Sequence, residues 1–212
     1  MKQEYFLVKI VNFCTIGLLY LVPFFTSAVV INFNDETINS YASPGQDGVG
    51  SYKTEDGGAT ITLTGNIWRS IDFTYTITTD TVLSFDYMST EEGEIQGIGV
   101  DDDYQIKDGT LFQLFGTQLW GDQSFKNYNN LGNWVTYEIL LSNYVQGMFS
   151  TLFFTNDDDS VSNSTASSSF RNVVICEGCD RATVVAEPSS LILLGFSLIG
   201  FFARTTKTNS RK

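Results

Sequence analysis

Two runs of three aspartates are the residues whose type and spacing best suit metal chemistry. They occupy positions 101–103 and 157–159, and each follows a hydrophobic stretch. Clustered carboxylates in a loop suit calcium, a hard cation that takes about six to eight oxygen ligands. Because aspartate also favours ordinary solvated turns, either run could instead be a simple surface loop. We therefore expect a structural calcium ion in this chain, with Asp157 as one candidate ligand.

A loop that mixes aromatic rings with amides and carboxylates could bind a sugar. Trp120, Phe125, Tyr128 and Trp134 fall within a 15-residue segment. The apolar face of a sugar packs on an aromatic ring, while amides and carboxylates bind its hydroxyl groups. Trp120 and Tyr128 are therefore predicted ligand contacts, whereas Trp134 begins an alternating strand and is predicted to lie in the core. The alternative is that all of these rings fill the core.

Polar side chains on otherwise apolar strands are further candidates for ligand contact. Gln96, Gln113 and Asn156 lie in or at the ends of predicted strands, and Asp101 follows one. A buried polar side chain needs a hydrogen-bond partner, and a ligand or a network within the core would serve equally well. These four residues therefore join the two loop aromatics in the predicted ligand-binding set.

The absence of histidine excludes several classes of enzyme. Without it there is no Ser-His-Asp or Cys-His nucleophile and no zinc site that relies on imidazole. Paired carboxylates hydrolyse glycosides, but a chain with 24 acidic residues always offers some suitable pair, so this signal is weak. We expect no catalysis, and a polysaccharide hydrolase or lyase is the alternative.

Between residues 29 and 180 the sequence predicts strands rather than helices. Short β-branched and aromatic runs are separated by Gly, Asn, Asp and Ser, a pattern typical of sandwiches and barrels. Clean alternation within 60–64 and 71–77 predicts strands with one buried face, and burying one face of all the candidate strands is enough for a two-sheet core. The candidate strands are 29–33, 60–64, 68–77, 82–89, 95–100, 110–115, 134–140, 149–155 and 170–176.

Five segments of this region are similar to jelly-roll modules of the carbohydrate-binding kind: 65–69, 83–87, 93–101, 112–118 and 153–158. The resemblance implies an all-β fold, a two-sheet antiparallel jelly-roll β-sandwich that binds extracellular polysaccharide. Many such modules hold a structural calcium ion near the chain ends, so the resemblance adds Asp35, Asp47 and Glu55 as alternative metal ligands. In relatives of this kind the position of Gln96 is often a histidine.

The N-terminus has the layout of a secretory signal. Lys2 and Lys9 supply positive charge before a mostly apolar run over 10–25, and the small residues at 26–28 suit a signal peptidase. The run falls short of the ~20 residues of a comfortable membrane span, so cleavage is favoured over a permanent anchor. Residues 1–28 are therefore predicted to be a signal peptide.

The last segment, 181–212, is predicted to be a linker and a sorting tail. Glu187, Pro188 and Ser189 precede a short apolar stretch over 191–203 and then several basic residues. This arrangement resembles the PEP-CTERM sorting signal of Gram-negative bacteria, although Ala186 stands where the first proline usually is. The resemblance implies a hydrophobic helix held transiently in the inner membrane and processing by an exosortase-like enzyme. The protein is therefore expected at the cell surface or in the extracellular matrix.

Cys176 and Cys179 are the cysteines of the predicted mature body, 29–186. Their C-x-x-C spacing also suits a redox pair or half of a zinc site, but neither a βαβ pattern nor further zinc ligands accompany it. In an exported chain the pair is predicted to form a small structural disulfide, with two free thiols as the alternative.

The mature body is strongly acidic. Removing Glu4 and Glu187 leaves 22 of the 24 acidic residues, and 6 of the 12 basic residues remain, so its net charge is near −16. Such a charge disfavours nucleic acid, whose binding relies on Lys and Arg against phosphate. We therefore predict an exported, non-catalytic module that binds extracellular polysaccharide. The alternative is a structural protein of the exopolysaccharide matrix or cell surface that self-associates without binding sugar.

Overall fold

The computed structural model describes residues 28–41, 46, 48–159 and 162–178. Backbone proximity separates Met1–Gly178 from Cys179–Lys212, and every described residue belongs to the first unit. Apart from Ala28, the predicted signal peptide lies outside these ranges, as does the predicted sorting tail with Glu187, Pro188 and Ser189. Within the described ranges, no helix has the length and hydropathy needed to span a membrane.

The described part of the chain is built from β-strands joined by turns and loops. Three one-turn 3-10 helices, Asp56–Gly58, Asp108–Thr110 and Leu141–Asn143, occur between them. The strands in chain order are β1 (Ala28–Val30), β2 (Asn39–Ser40), β3 (Gly50–Glu55), β4 (Thr60–Gly65), β5 (Ile67–Ile77), β6 (Thr81–Glu91), β7 (Ile95–Asp101), β8 (Leu111–Phe115), β9 (Val135–Leu140), β10 (Gly147–Asp157) and β11 (Ser167–Glu177).

The strands form two antiparallel sheets of a jelly-roll β-sandwich. The six-stranded sheet has the order β3-β4-β11-β6-β9, with β1 also paired to β11, and the five-stranded sheet has the order β2-β5-β10-β7-β8. The predicted fold class is confirmed. Each predicted strand overlaps an observed one, while β2 and β3 were not predicted.

Alternation along the strands puts the main core between the two sheets. In β10, Leu152 and Phe154 enter this core, and in β4 Ile61 and Leu63 do the same. Successive side chains of a strand point to opposite faces, so the residue between Leu152 and Phe154 must point away from the core. That residue is Phe153, and it is nevertheless almost fully buried.

Phe153 belongs to a second apolar cluster on the outer face of the five-stranded sheet, with Tyr41, Trp68, Ile95 and Leu111. Phe153 pairs in register with Gly99, and a Cβ at that position would lie 2.3 Å from the ring. The glycine therefore lets the ring lie flat on the sheet. Tyr41 stacks on it, with ring centroids 4.2 Å apart and an interplanar angle of 3°. This outer cluster positions the candidate site.

Candidate functional site

A depression of about 270 Å³ opens at one end of the outer face of the five-stranded sheet. Trp68 and Ile95 reach it from the starts of β5 and β7, and Asp157 reaches it from the end of β10. The remaining lining residues belong to loops and are Gln46, Ile106, Gln118, Trp120 and Asp159. We call this depression the tryptophan pocket.

Trp68 is the inner wall of the tryptophan pocket. Its side chain is buried, and its ring packs beside that of Phe153, with centroids 6.2 Å apart. The indole N–H donates a hydrogen bond to Oδ1 of Asp157 at 3.0 Å. Because little of the ring reaches solvent, Trp68 serves to fix the carboxylate of Asp157 and offers little ring face to a ligand.

Trp120 supplies the aromatic surface that a ligand can reach. Its side chain is half-buried, and its ring meets Trp68 edge to face, with centroids 5.9 Å apart at 75°. Edge-to-face contact is a preferred geometry for aromatic pairs, so Trp68 holds the ring in place while part of it stays accessible in the pocket. This is the arrangement expected of a stacking platform.

The loop that carries Trp120 is fixed by a fully buried amide, Gln113 of β8. Its Oε1 accepts the backbone N–H of Trp120 at 3.2 Å, and its Nε2 donates to the carbonyls of Phe115 and Gln118 at 3.2 and 2.8 Å. The loop is also paired to β8 through its backbone, because Asp122 exchanges hydrogen bonds with residues 111 and 113. Gln113 is therefore a positioning residue behind the pocket rather than part of its surface.

Carboxylates crowd one side of the tryptophan pocket. Burial raises the pKa of the Asp157 carboxyl, and the charges of Asp159 and Glu94 add to the rise, although the hydrogen bond from Trp68 acts in the opposite direction. The hydrogen bond with Glu94, and the negative charge of that residue, raise the pKa of Asp159. Glu94 also accepts Gln118 Nε2 at 2.7 Å and the backbone N–H of Asp159 at 2.8 Å. None of the described lining residues is basic.

A buried hydroxyl without a hydrogen-bond partner in the described structure, that of Thr155, lies on this same sheet face. Thr155 pairs in register with Trp68, which places its hydroxyl on the sheet beside the pocket. Unpartnered buried polar atoms are rare in native proteins. Packing within the fold therefore does not explain why a polar group lies here.

Beyond the pocket, protein side chains cover the face. The Tyr41 hydroxyl donates to Oδ2 of Asp101 at 2.9 Å, and the Tyr104 hydroxyl donates to Oδ1 of Asp72 at 2.8 Å. Burial and the bond to Asp101 raise the pKa of Tyr41, so this hydroxyl stays a donor at neutral pH. The depression described above lies at the end of the face that holds Trp120 and Asp157.

Two of the sequence-predicted site residues, Trp120 and Asp157, come together in the tryptophan pocket. Gln113 lies directly behind it, and Asp101 lies on the same face under Tyr41. The remaining three predicted ligand contacts, Tyr128, Gln96 and Asn156, are placed elsewhere.

Gln96 and Asn156 form a hydrogen-bond network inside the sandwich. Both are fully buried, and Gln96 Nε2 donates to Asn156 Oδ1 at 2.7 Å and to the carbonyl of Ser167 at 2.9 Å. Asn156 Oδ1 also accepts Ser168 Oγ at 2.8 Å, and its Nδ2 donates to the carbonyls of Gly65 and Ala166. This arrangement matches the core-network alternative for these two residues.

Tyr128 also lies in the main core, 4% exposed. Its hydroxyl accepts the backbone N–H of Ser89 at 3.1 Å and approaches the carbonyls of Asn130 and Asn133 at 2.8 and 3.0 Å. The residue ties the 128–133 loop to β6, and the described structure shows protein groups around its polar end.

The aspartates at 101–103 bring one carboxylate oxygen each within 4.8 Å of the others. Lys107 Nζ contacts this group, at 2.7 Å from Asp103 Oδ2 and 3.5 Å from Asp102 Oδ1, and its hydrogen bond lowers the pKa of Asp103. An ammonium group therefore already neutralises part of this cluster.

The other predicted calcium ligands are dispersed. Asp35 and Glu55 are exposed, Glu55 pairs with Lys53 at 3.1 Å, Asp157 lines the tryptophan pocket, and Asp47 lies outside the described residues. The calcium ion stays a prediction.

Cys176 takes part in a disulfide bond. Its predicted partner, Cys179, lies outside the part of the chain that the structure describes, so the pairing stays a prediction.

Sequence reasoning missed Trp68, Gln118 and Asp159 as pocket residues. The sequence pattern places Trp68 in a strand but does not indicate which sheet face it occupies, and it indicates only an acidic loop at Asp159. The signal that could have found Trp68 is its parity: it shares a strand face with Ser70, which pairs with the outward-facing Phe153 of β10, whereas its neighbour Ile67 lies in the main core.

No protein-family model matches this chain, and no curated protein matches it. Among solved structures it is similar to a carbohydrate-binding module of family 29, with 16% identity over 77% of this chain and 99% of that module at a TM-score of 0.40. Family 29 modules complexed with cellulohexaose and with mannohexaose are similar at 13% and 15% identity, each over 72% of this chain and 92% and 93% of theirs, with TM-scores of 0.40 and 0.38. At these TM-scores, the ligands of those modules are no guide to what this chain binds.

Proposed function

We propose that this protein is an exported, non-catalytic module that binds glycan in the tryptophan pocket. The observation that carries the proposal is the half-buried ring of Trp120 beside carboxylate and amide groups in an open depression. Sugars are recognised by this combination, because their C–H faces pack on rings and their hydroxyls bond to carboxylates and amides. The volume of about 270 Å³ is near the roughly 300 Å³ lower bound of small-ligand sites.

Preorganisation supports a binding role. Gln113 holds the backbone of Trp120, and Trp68 holds the carboxylate of Asp157. Groups that are fixed before the ligand arrives lose little conformational freedom on binding. The pocket is therefore built to present a ring and a carboxylate in one geometry.

The sequence at both ends of the chain supports export. A signal peptidase would act at the first end, and an exosortase-like enzyme would act at the PEP-CTERM-like tail after transient retention in the inner membrane. Export would place the pocket among extracellular polysaccharides at the cell surface or in the matrix.

Replacing the exposed ring tests the proposal. The Trp120→Ala variant of the full chain is expected to weaken retention in gels containing a bound polysaccharide by about fivefold or more, since ring stacking contributes on the order of 1 kcal/mol or more. Affinity gel electrophoresis and calorimetry against a panel of neutral, amine-bearing and acidic polysaccharides measure it.

Trp134→Ala is the matched control, because Trp134 is also half-buried but packs beneath Arg171, with 4.1 Å between the guanidinium carbon and the ring centroid. Equal losses in the two variants, or no retention of the parent protein on any polysaccharide, would refute glycan binding at this pocket. Release of sugar products would instead identify an enzyme.

A further inference from the structure

We infer that the tryptophan pocket selects sugars that carry a protonated amine, such as units of glucosamine, over neutral and anionic sugars. The inference rests on the proposed glycan binding and specifies its ligand class. It comes from the charge, burial and aromatic geometry of the pocket.

The charge of the pocket is one-sided. Asp157 and Asp159 line it, and Glu94 is bonded to the backbone of Asp159 and to the side chain of Gln118. The described lining residues include no lysine or arginine, and the nearby Lys126 ammonium is bonded to the backbone carbonyl of Gln118 at 3.3 Å. A neutral sugar would leave these carboxylates uncompensated and an acidic sugar would be repelled by them, whereas an ammonium group would be attracted.

Asp157 gives this attraction a fixed partner. The residue is 7% exposed, and the indole N–H of Trp68 accounts for only one of its oxygens. Burying a carboxylate is costly unless a cation or several hydrogen bonds compensate it. A ligand ammonium that reaches this carboxylate would supply that compensation.

The aromatic wall suits the same ligand. A cation over the face of an indole ring is attracted by the ring quadrupole, and tryptophan is the best side chain for this contact. Trp120 therefore favours an amine-bearing sugar through its ring face as well as through stacking. Thr155, whose buried hydroxyl has no partner, adds a polar group on the sheet beside Trp68.

The acidic surface continues past the pocket. A second depression, of about 300 Å³, is lined by Glu91, Glu92 and Asp158 together with Gly93 and Thr117. Several of its lining residues are sequence neighbours of residues that line the tryptophan pocket: Thr117 precedes Gln118, and Asp158 lies between Asp157 and Asp159. A chain with amines on successive units would meet further carboxylates there.

Calorimetry with the full chain tests the inference. The ligands are matched oligomers of glucosamine, N-acetylglucosamine, glucose and galacturonate, all in chelator and at a pH where sugar amines are protonated. Glucosamine oligomers are expected to bind about tenfold tighter than N-acetylated ones, a difference on the scale of one compensated charge. In the double variant Asp157→Asn and Asp159→Asn this ratio is expected to fall to about twofold or less.

The matched control is Asp80→Asn with Glu138→Gln. It also removes two negative charges, here from exposed side chains in the turn between β5 and β6 and on β9, so it measures the non-specific attraction of a polycation to an acidic protein. The parent ratio should persist in this control.

A parent protein that binds neutral and amine-bearing oligomers equally, or a ratio lost equally in both double variants, overturns the inference while glycan binding stands. A parent protein that binds none of the oligomers overturns the proposed function itself.

Discussion

Asp157 contributes both a negative charge and a fixed carboxylate position to the pocket. Trp68 fixes its position through a 3.0 Å hydrogen bond, while burial and neighbouring carboxylates make its ionised form unfavourable. A protein gains no stability from such a group at neutral pH. A salt bridge lowers the pKa of an acid, whereas the surroundings of Asp157 raise its pKa. Shifted pKa values of this kind are typical of binding sites.

Asp157→Asn is expected to stabilise the fold at neutral pH. Because the folded-state pKa lies above the unfolded value, the ionised carboxylate lowers the free energy of unfolding at neutral pH, and this penalty disappears as pH falls below the unfolded pKa. Asparagine keeps an acceptor for Trp68 without the charge. Urea unfolding of both proteins across acidic to neutral pH measures it, and a difference that does not change with pH would contradict the explanation.

Residue type predicted Trp120 and Gln113 as ligand contacts, and the structure places Trp120 in the pocket and Gln113 behind it. Sequence could not distinguish a ligand from a core network for Gln96 and Asn156, because that depends on which strands become neighbours. In the sandwich the two residues face each other across β7 and β10, so the network becomes possible only after the sheet has formed.

The element that carries the site is the loop between β8 and Asp122. It folds back along β8, forms a bridge to Phe112, and passes through Gly121 at a φ of 80°. A Cβ at Gly121 would lie 2.7 Å from the carbonyl of Leu111. The loop therefore behaves as a short edge strand, and its register depends on the amide of Gln113.

Gln113→Leu is expected to lower the free energy of unfolding by about 1–3 kcal/mol, because three backbone groups lose their buried partner. Hydrogen exchange at the Trp120 amide should accelerate, and glycan affinity should fall towards that of Trp120→Ala. Chemical denaturation and exchange measured by mass spectrometry check both effects. The exposed Gln146 supplies the control Gln146→Leu, and equal behaviour of the two variants would contradict a positioning role.

Strand prediction succeeded where one face is buried and failed where neither is. β5 and β10 contain long β-branched and aromatic runs, and both were predicted. β3 was missed, since five of its six residues are exposed and its polar sequence has no alternation to detect. It forms because β4 offers hydrogen bonds along its whole length. The sequence of β3 alone does not show that this partner strand will be present.

At the scale of the whole molecule, the acidic charge constrains the alternative of self-association. The formal net charge is −12, so copies repel each other at low salt. The edge strand β3 carries Lys53 and Glu55 as an exposed ion pair, and charged edges discourage pairing with another sheet. The net charge follows directly from the composition. Composition could not show that several carboxylates would lie around one pocket.

The stack of Tyr41 on Phe153 occupies the middle of the outer sheet face and closes the path along it. If the pocket binds glycan as proposed, a polysaccharide would not lie across this stack, and its terminus or a short side branch would enter the pocket. Affinity should stop increasing once an oligosaccharide is a few units long, which calorimetry on an oligomer series measures; an affinity that keeps rising with length would contradict it. The amount of such a module that a polymer binds would therefore depend on the number of its ends and branches rather than on its mass.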